Sequence, residues 1–189
     1  MIKKDRSSRF LTISFSIIMI LVVIGFLIKK EYNFIYNSIM IYVSYLFIIY
    51  FENKNKKMIK SYIKALVIIA YILHNVVGQY FNLYQNSIWF DKALHIFGTF
   101  AFSLLFYSML DLSIKFFSES KIFIFIILMS IGVTGGAFLE SGEFILDIIM
   151  NTKNQHGLLD TNLDLIFNAF GAVLAGILGA FNEKYISNK

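Results

Sequence analysis

The chain has 189 residues, of which 58% are hydrophobic and 15% are charged, and it contains neither cysteine nor proline. A soluble domain carries about 25% charged residues, and the lack of cysteine excludes both a disulfide scaffold and a thiolate metal site. The net charge of +5 does not indicate a nucleic-acid-binding protein, because apolar runs separate the basic residues and no nucleic-acid motif accompanies them.

Six apolar stretches are long enough to cross a bilayer as helices, which takes about 20 residues each. Continuous apolar runs of this length favour an all-α, polytopic membrane bundle over a membrane β-barrel, whose strands alternate in polarity. We expect a single integral-membrane helical domain over residues 1–189, with the lipid bilayer as its surroundings. In chain order the predicted spans are Phe10–Ile28, Phe34–Phe51, Ser61–Tyr84, Ala93–Leu110, Ile122–Leu146 and Leu163–Phe181.

The first span follows a basic segment and ends at Lys29 and Lys30 without a small-residue cleavage site, which predicts an uncleaved anchor. Lys and Arg concentrate on the side of the membrane that holds the N-terminus, and this predicts that both termini are cytoplasmic. The inner residues are Lys3, Lys4, Arg6, Arg9, Lys54, Lys56, Lys57, Lys60, Lys64, Lys115, Lys121, Lys184 and Lys189, and the outer ones are Lys29, Lys30, Lys92 and Lys153.

Small residues recur at helical spacing in the last two spans. Gly132 and Gly136 are four residues apart, and Ala172, Gly176 and Ala180 form a second row. In membrane bundles such rows let helices approach closely, so we expect the last two spans to pack here.

Polar residues in the third span have two interpretations. His74 is expected to make a hydrogen bond to a neighbouring helix. Gln79 and Tyr84 near its outer end fit an interfacial belt better than the wall of a pocket.

The acidic residues divide unevenly between the two sides. Five are expected to be solvated on the inner side, namely Asp5, Glu52, Asp111, Glu119 and Glu183. Six others fall near the outer ends of the last three spans, together with two histidines. These eight residues are Asp91, His95, Glu140, Glu143, Asp147, His156, Asp160 and Asp164.

Helical spacing brings these polar residues onto common faces. Residues three or four apart share one face of a helix, so each of the last three spans presents a short polar stripe at a similar depth. The stripes are Asp91 with His95, Glu140 with Glu143 and Asp147, and Asp160 with Asp164 and Asn168.

Several carboxylates that converge in a membrane repel one another unless protons, cations or a metal ion neutralise them. Lys92 is expected to extend toward the lipid headgroups, which leaves protons or a metal. Histidine nitrogen with carboxylate oxygen suits Zn, Mn or Fe. Three interpretations remain open: polar ties between helices, a metal or catalytic site, and passage of protons or ions.

The order of these motifs resembles two families of bacterial membrane proteins. Asp91-Lys92-Ala93-Leu94-His95 with Gly98 is similar to the opening motif of VanZ-like proteins, which Glu140, Asp164, Asn168 and Gly171 then follow in order. The match to YjdF-type inner-membrane proteins is closer. It adds Gly78 through Tyr84, the Glu140 and Glu143 pair, and Asp160-Thr161-Asn162-Leu163-Asp164.

The resemblance covers residues 70–180 and leaves the helices at 10–51 peripheral to it. It implies a bacterial cytoplasmic-membrane protein that acts near the cell envelope, without supplying a reaction. YjdF-type proteins carry a Gly-Asp shortly before the Asp-Thr element, where this chain has His156-Gly157. If that Asp is a ligand in the family, either His156 replaces it here or the site has lost a ligand.

These observations lead to one principal hypothesis, an outward-facing, metal-assisted site for an envelope lipid or a lipid-linked substrate. His95, Glu140, Asp160 and Asp164 would bind a divalent metal ion, and Asp91 would orient His95. Glu143 would act as the general base of a hydrolysis or group transfer. The alternative is a protein without catalytic activity that binds or moves a small solute, a lipid or a proton, or that serves as a structural or antibiotic-tolerance component.

Overall fold

A computed structural model describes residues 6–114, 120–150, 154–182 and Ile186. Over these residues all regular secondary structure is helical, and six helices are long and apolar enough to cross a membrane. This confirms the predicted all-α class and the number of spans. The helices are α1 (Arg6–Lys29), α2 (Tyr32–Asn55), α3 (Ser61–Ile72, continued as a π-helix over Leu73–Tyr80), α4 (Leu83–Asn86), α5 (Ile88–Ile114), α6 (Lys121–Met150) and α7 (Leu158–Phe181).

Three of the helices extend beyond the predicted spans at the end that carries the acidic residues. Helix α5 begins at Ile88 instead of Ala93, α7 begins at Leu158 instead of Leu163, and α6 continues to Met150. A hydropathy window excludes these polar turns. They are nevertheless helical. Lys92 of α5 pairs with Asp160 of α7, and Asp147 of α6 accepts hydrogen bonds from backbone amides that precede α7.

The third span differs most from its prediction. Its second half, Leu73–Tyr80, is a π-helix, and the chain then turns at Asn82, whose φ of 59° lies in the left-handed region. The short helix α4 follows and brings Tyr84 back against Gly78, where an added Cβ would overlap the tyrosine ring. The π-helix and this turn fold residues 73–86 into a cap beside the start of α5.

Helices α5, α6 and α7 pack closely, and small residues make this possible. A Cβ added at Gly132 would lie 2.5 Å from the Ala172 Cβ, and one at Gly136 would lie 2.7 Å from Asn168. At Gly171 an added Cβ would overlap the carbonyl oxygen of Ile96. The predicted close packing of the last two spans is therefore confirmed.

A buried ion pair joins α1, α2 and α3 at the opposite end of the bundle. Lys64 Nζ donates to Glu52 Oε1 (2.7 Å) and to Ser8 Oγ (2.6 Å), and the Ile59 amide also donates to Glu52 Oε1. Glu52 is 1% exposed and Lys64 is 0% exposed. The expectation that Glu52 is solvated is wrong, and it is wrong for Asp111 as well, which is buried in α5.

The predicted orientation of the chain rests partly on residues whose structure is not described. These are Lys3, Lys4, Lys115, Lys153, Lys184 and Lys189, and the acidic Asp5, Glu119 and Glu183 also lie outside the described residues. Lys64, one of the predicted inner basic residues, forms the buried ion pair with Glu52.

Candidate functional site

Three helix ends meet at one end of the bundle, which we call the site end. The first turns of α5 and α7 and the last turns of α6 lie together there. Small residues in the helix contacts, such as Gly136 beneath Asn168, allow this close approach. The polar cluster formed there consists of Asp91, Lys92 and His95 from α5, Glu140 from α6, and Asp160 and Asp164 from α7.

Lys92 occupies the middle of the polar cluster. Its Nζ donates to Asp91 Oδ2 (3.0 Å), Asp160 Oδ1 (2.6 Å) and Asp164 Oδ1 (2.5 Å), and its side chain is 3% exposed. The prediction that this lysine extends toward lipid headgroups is wrong. An ammonium that pairs with three carboxylates is stabilised more by the site than by the membrane surface.

A helical pattern in the sequence around Lys92 indicates this inward orientation. Lys92, His95, Thr99 and Ser103 are spaced i, i+3, i+7 and i+11 along α5, which places them on one face. Thr99 and Ser103 are buried on that face, which packs against α6 and α7. A lysine at the head of such a stripe faces the bundle.

Nε2 of His95 faces two carboxylate oxygens. It lies 3.5 Å from Asp91 Oδ1 and 3.4 Å from Asp164 Oδ1. One atom from each of these three residues falls within 4.8 Å of the others, which is a geometry that could hold a metal ion. Asp91 and Asp164 therefore each contact both the lysine and the histidine.

The other ring nitrogen, Nδ1, faces α6 and α7. It lies 3.1 Å from Asn168 Oδ1, which also accepts a hydrogen bond from Thr99 Oγ1 (2.6 Å), and 3.9 Å from Glu140 Oε1. With the amide in this orientation, Nδ1 carries the hydrogen that Asn168 accepts. A neutral His95 ring then has its lone pair on Nε2, directed at the oxygens of Asp91 and Asp164, and a protonated ring directs a second N–H at the same oxygens.

Glu140 is buried without a hydrogen-bond partner among the described residues. It is 4% exposed, and neither Oε1 nor Oε2 has a donor within hydrogen-bonding distance there. Nδ2 of Asn168 is likewise unpartnered in the described part of the chain. A buried carboxylate without hydrogen-bond partners destabilises the fold. Binding of a proton or another ligand at Glu140 would relieve this destabilisation.

The remaining acidic residues of α6 have different surroundings. Glu143 lies one turn beyond Glu140, is half-buried, and makes no side-chain hydrogen bond with the described residues. Asp147 instead accepts hydrogen bonds from the backbone amides of Asn154 (2.8 Å) and Gln155 (2.9 Å). Asp147 thus holds the segment that leads to α7 against the end of α6.

Asp160 and His156 lie at the rim. Asp160 Oδ1 pairs with Lys92, and its Oδ2 is 3.5 Å from His156 Nδ1. The side chain of His156 is 75% exposed. The contacts described bring neither residue against the His95 ring, so Asp160 and His156 form a rim outside the group around His95.

A second network borders the cluster. Asn37 Nδ2 (2.9 Å) and Gln79 Nε2 (3.2 Å) donate to His74 Nε2, and His74 Nδ1 then donates to Tyr84 Oη (2.5 Å). The interhelical hydrogen bond predicted for His74 is confirmed. Gln79 and Tyr84 do not form an interfacial belt, because both turn toward His74.

The pKa of the Tyr84 phenol depends on the charges around it. Burial raises the pKa of the Tyr84 phenol, and the negative charges of Asp91, Glu143 and Asp164 raise this pKa further. The tyrosine therefore lies within electrostatic range of carboxylates from α5, α6 and α7. Local sequence offered no indication of this, since the turn at Asn82 creates the contact.

Comparison with known proteins identifies a family whose description names no reaction. A family model described as "Predicted membrane protein (DUF2238)" matches residues 10–185. An uncharacterized protein of Thermotoga maritima is 36% identical over 109 residues, which cover 57% of this chain and 56% of the relative. The match thus spans little more than half of that protein. No solved structure matches the chain.

Proposed function

The chain belongs to the DUF2238 family of membrane proteins, and from this premise we propose that it binds a divalent metal ion at Asp91, His95 and Asp164. We further propose that the ion assists a hydrolysis or group transfer on an envelope lipid or a lipid-linked substrate. One nitrogen and two carboxylate oxygens suit Zn²⁺, Mn²⁺ or Fe²⁺. Three protein ligands leave a coordination position open for water or substrate.

The observation that carries this proposal is the spacing around His95 Nε2. Its distances to Asp91 Oδ1 and Asp164 Oδ1 are 3.5 and 3.4 Å. Hydrogen bonds of this kind are shorter, about 2.7–3.2 Å. Two ligand atoms that are each about 2.1 Å from one ion at a tetrahedral angle lie about 3.4 Å apart. The spacing fits a shared ion better than a direct hydrogen bond.

The residues around Nδ1 would hold the histidine in its metal-binding orientation. Asn168 accepts the Nδ1 hydrogen, and Glu140 lies beside it at 3.9 Å. Metal-binding histidines commonly donate their second nitrogen to a carboxylate or an amide oxygen. In this proposal Glu140 has a positioning role and Asp91 is a ligand, which reverses the roles that the sequence suggested for them. Asp160 then pairs with Lys92 instead of binding the ion.

Glu143 is the candidate general base. It is half-buried and uncommitted to any hydrogen bond among the described residues. In a hydrolysis, a water oxygen would bond to the acyl or phosphoryl centre while Glu143 takes the water proton. The leaving oxygen would then accept that proton as its bond to the centre breaks.

The location of the cluster favours a substrate anchored in the membrane. Asp91, Asp160 and Asp164 lie in the first turns of two spans, at the depth where lipid headgroups meet the hydrocarbon core. The predicted excess of Lys and Arg on the other side supports an outward-facing site end. The resemblance to YjdF-type and VanZ-like proteins points in the same direction, to the bacterial cell envelope.

The test is turnover by the purified protein in vesicles of bacterial polar lipids with added Zn²⁺, Mn²⁺ or Fe²⁺, followed by mass spectrometry of the lipids. We expect wild-type protein to alter a lipid species and Glu143→Gln to retain the metal without altering it. Glu31→Gln, which changes an exposed carboxylate, is the matched control and should behave as wild type. Equal turnover by Glu143→Gln, or none with any of the ions, would overturn the catalytic proposal.

A second candidate function is binding or movement of a proton, without catalysis. Two observations favour it: Lys92 already neutralises part of the cluster, and a protonated Glu140 would carry less penalty for its missing partners. A proton on His95 Nε2 would replace the metal ion. In that case the protein contains no stoichiometric metal, and chelators leave its stability unchanged.

A further inference from the structure

A groove runs along one side of α5 from the polar cluster toward the opposite end of the bundle. Its volume is about 950 Å³, within the range of ligand-binding pockets. The floor is formed by α5 from Thr99 to Ser113, one wall by α6, and the other wall by Phe51 and Tyr71 of α2 and α3. At 1.5 Å per residue, the floor is about 21 Å long.

The groove is apolar and opens sideways. Phe102, Phe106 and Met109 line its floor, and Phe138 and Leu139 line the wall formed by α6. Phe106, Phe138 and Leu139 are about half exposed or more, so the groove faces the surrounding membrane and not the interior of the bundle. Because the groove lies along helices long and apolar enough to cross a membrane, we expect it to contact lipid chains and not bulk water.

The groove ends close to the polar cluster, at the site end of the bundle. Thr99 lines the groove and donates to Asn168 Oδ1, and the same oxygen accepts from His95. Gly136 also lines the groove and contacts Asn168. One hydrogen-bonded residue, Asn168, therefore separates the end of the apolar groove from the His95 ring.

We infer that this groove binds the hydrocarbon chain of a lipid whose polar head lies at the polar cluster. A molecule with a polar head and a long chain matches a polar site that lies beside the end of an apolar groove about 21 Å long. An anionic head would be complementary to the bound ion, since Lys92 is already paired with three carboxylates. This inference deepens the proposed function. The position of the lipid head rests on that function, whereas the site for the hydrocarbon chain rests on the groove alone.

Gly135 offers a way to fill the groove with little disturbance to the fold. It lines the groove, and an added Cβ there meets nothing within 4 Å. Gly98, on α5 next to Thr99, also has open space around an added Cβ but does not line the groove. Gly135→Leu is thus the test variant, and Gly98→Leu is its matched control.

The experiment uses phosphatidylglycerol whose acyl chain ends in a diazirine, reconstituted with the full chain in vesicles and activated by light. We expect the label to concentrate on Phe102, Phe106 and Thr134 and to be competed by unlabelled lipid. Labelling of the exposed face of α1, which carries Ile13 and Ile17, measures the background from non-specific contact with lipid. Gly135→Leu should reduce the groove label about tenfold, since its side chain displaces a few buried methylene groups. Gly98→Leu should keep it.

Label on the groove no greater than on α1 would overturn the inference, and this comparison needs only wild-type protein. Equal loss in Gly98→Leu and Gly135→Leu would overturn it as well. A wild-type dimer that Gly135→Leu converts to a monomer, with no groove label, would assign the groove to a second copy of the chain. Metal content measured on the same samples separates the two proposals. If the groove is labelled but no metal is bound, only the metal site is refuted. If metal is bound but the groove is not labelled, only the binding site for the hydrocarbon chain is refuted.

Discussion

Replacing Lys92 by methionine removes the one cation that contacts Asp91, Asp160 and Asp164 in the described part of the chain. Asp91 and Asp160 are 27% and 26% exposed, so water can compensate much of their loss, and each of these pairs is worth no more than about 1 kcal/mol. Asp164 is 4% exposed and lies 2.5 Å from Lys92 Nζ. Breaking a buried pair of this kind costs about 3–5 kcal/mol, and we expect Lys92→Met to lose that much stability.

The assay is unfolding in mixed micelles with increasing sodium dodecyl sulfate, followed by circular dichroism in the presence of a chelator, so that ion binding does not contribute. Lys54→Met, which removes an exposed lysine at the end of α2, should change the free energy of unfolding by less than about 0.5 kcal/mol. Adding Asp164→Asn to Lys92→Met should restore part of the loss, because residue 164 is then no longer an unpaired buried charge. A loss below about 1 kcal/mol for Lys92→Met would refute the reasoning, since that is the value for an exposed lysine.

Other predictions use the same unfolding assay or thermal melting. Glu52→Gln should cost about 3–5 kcal/mol, because Lys64 is left as a buried charge; a loss below about 1 kcal/mol would mean that the pair is solvated. Gly171→Ala should cost about 1–3 kcal/mol, since the new methyl group overlaps the Ile96 carbonyl oxygen. Gly142→Ala, whose Cβ meets nothing within 4 Å, should be neutral or stabilising, and equal effects at the two glycines would contradict the described contact between α5 and α7.

Much of the fold follows from the sequence because its signals are local. Length and hydropathy locate six spans, and the spacing of Gly132 and Gly136 identifies the face on which α6 meets α7. Spacing of i and i+4 also places Asp91 and His95 on one face. These inferences need only the period of a helix, so they hold without knowledge of the neighbours.

The parts that failed depend on neighbours that the sequence does not identify. Lys92 could extend to the headgroups or to the interior, and only the carboxylates of α7 decide between these orientations. Glu52 and Lys64 are twelve residues apart on different helices, so no spacing rule pairs them. Tyr84 reaches His74 through a turn at Asn82, which hydropathy counts as part of the same span.

Elemental analysis of detergent-purified protein, prepared without chelators, tests the central claim most directly. His156→Gln changes the exposed rim histidine and is the matched control for His95→Gln, which removes the nitrogen ligand. We predict about one equivalent of zinc, manganese or iron in the wild type and in His156→Gln, and none in His95→Gln, as expected for a site with three protein ligands. No metal in the wild type, or equal metal in both histidine variants, would contradict the proposed metal site.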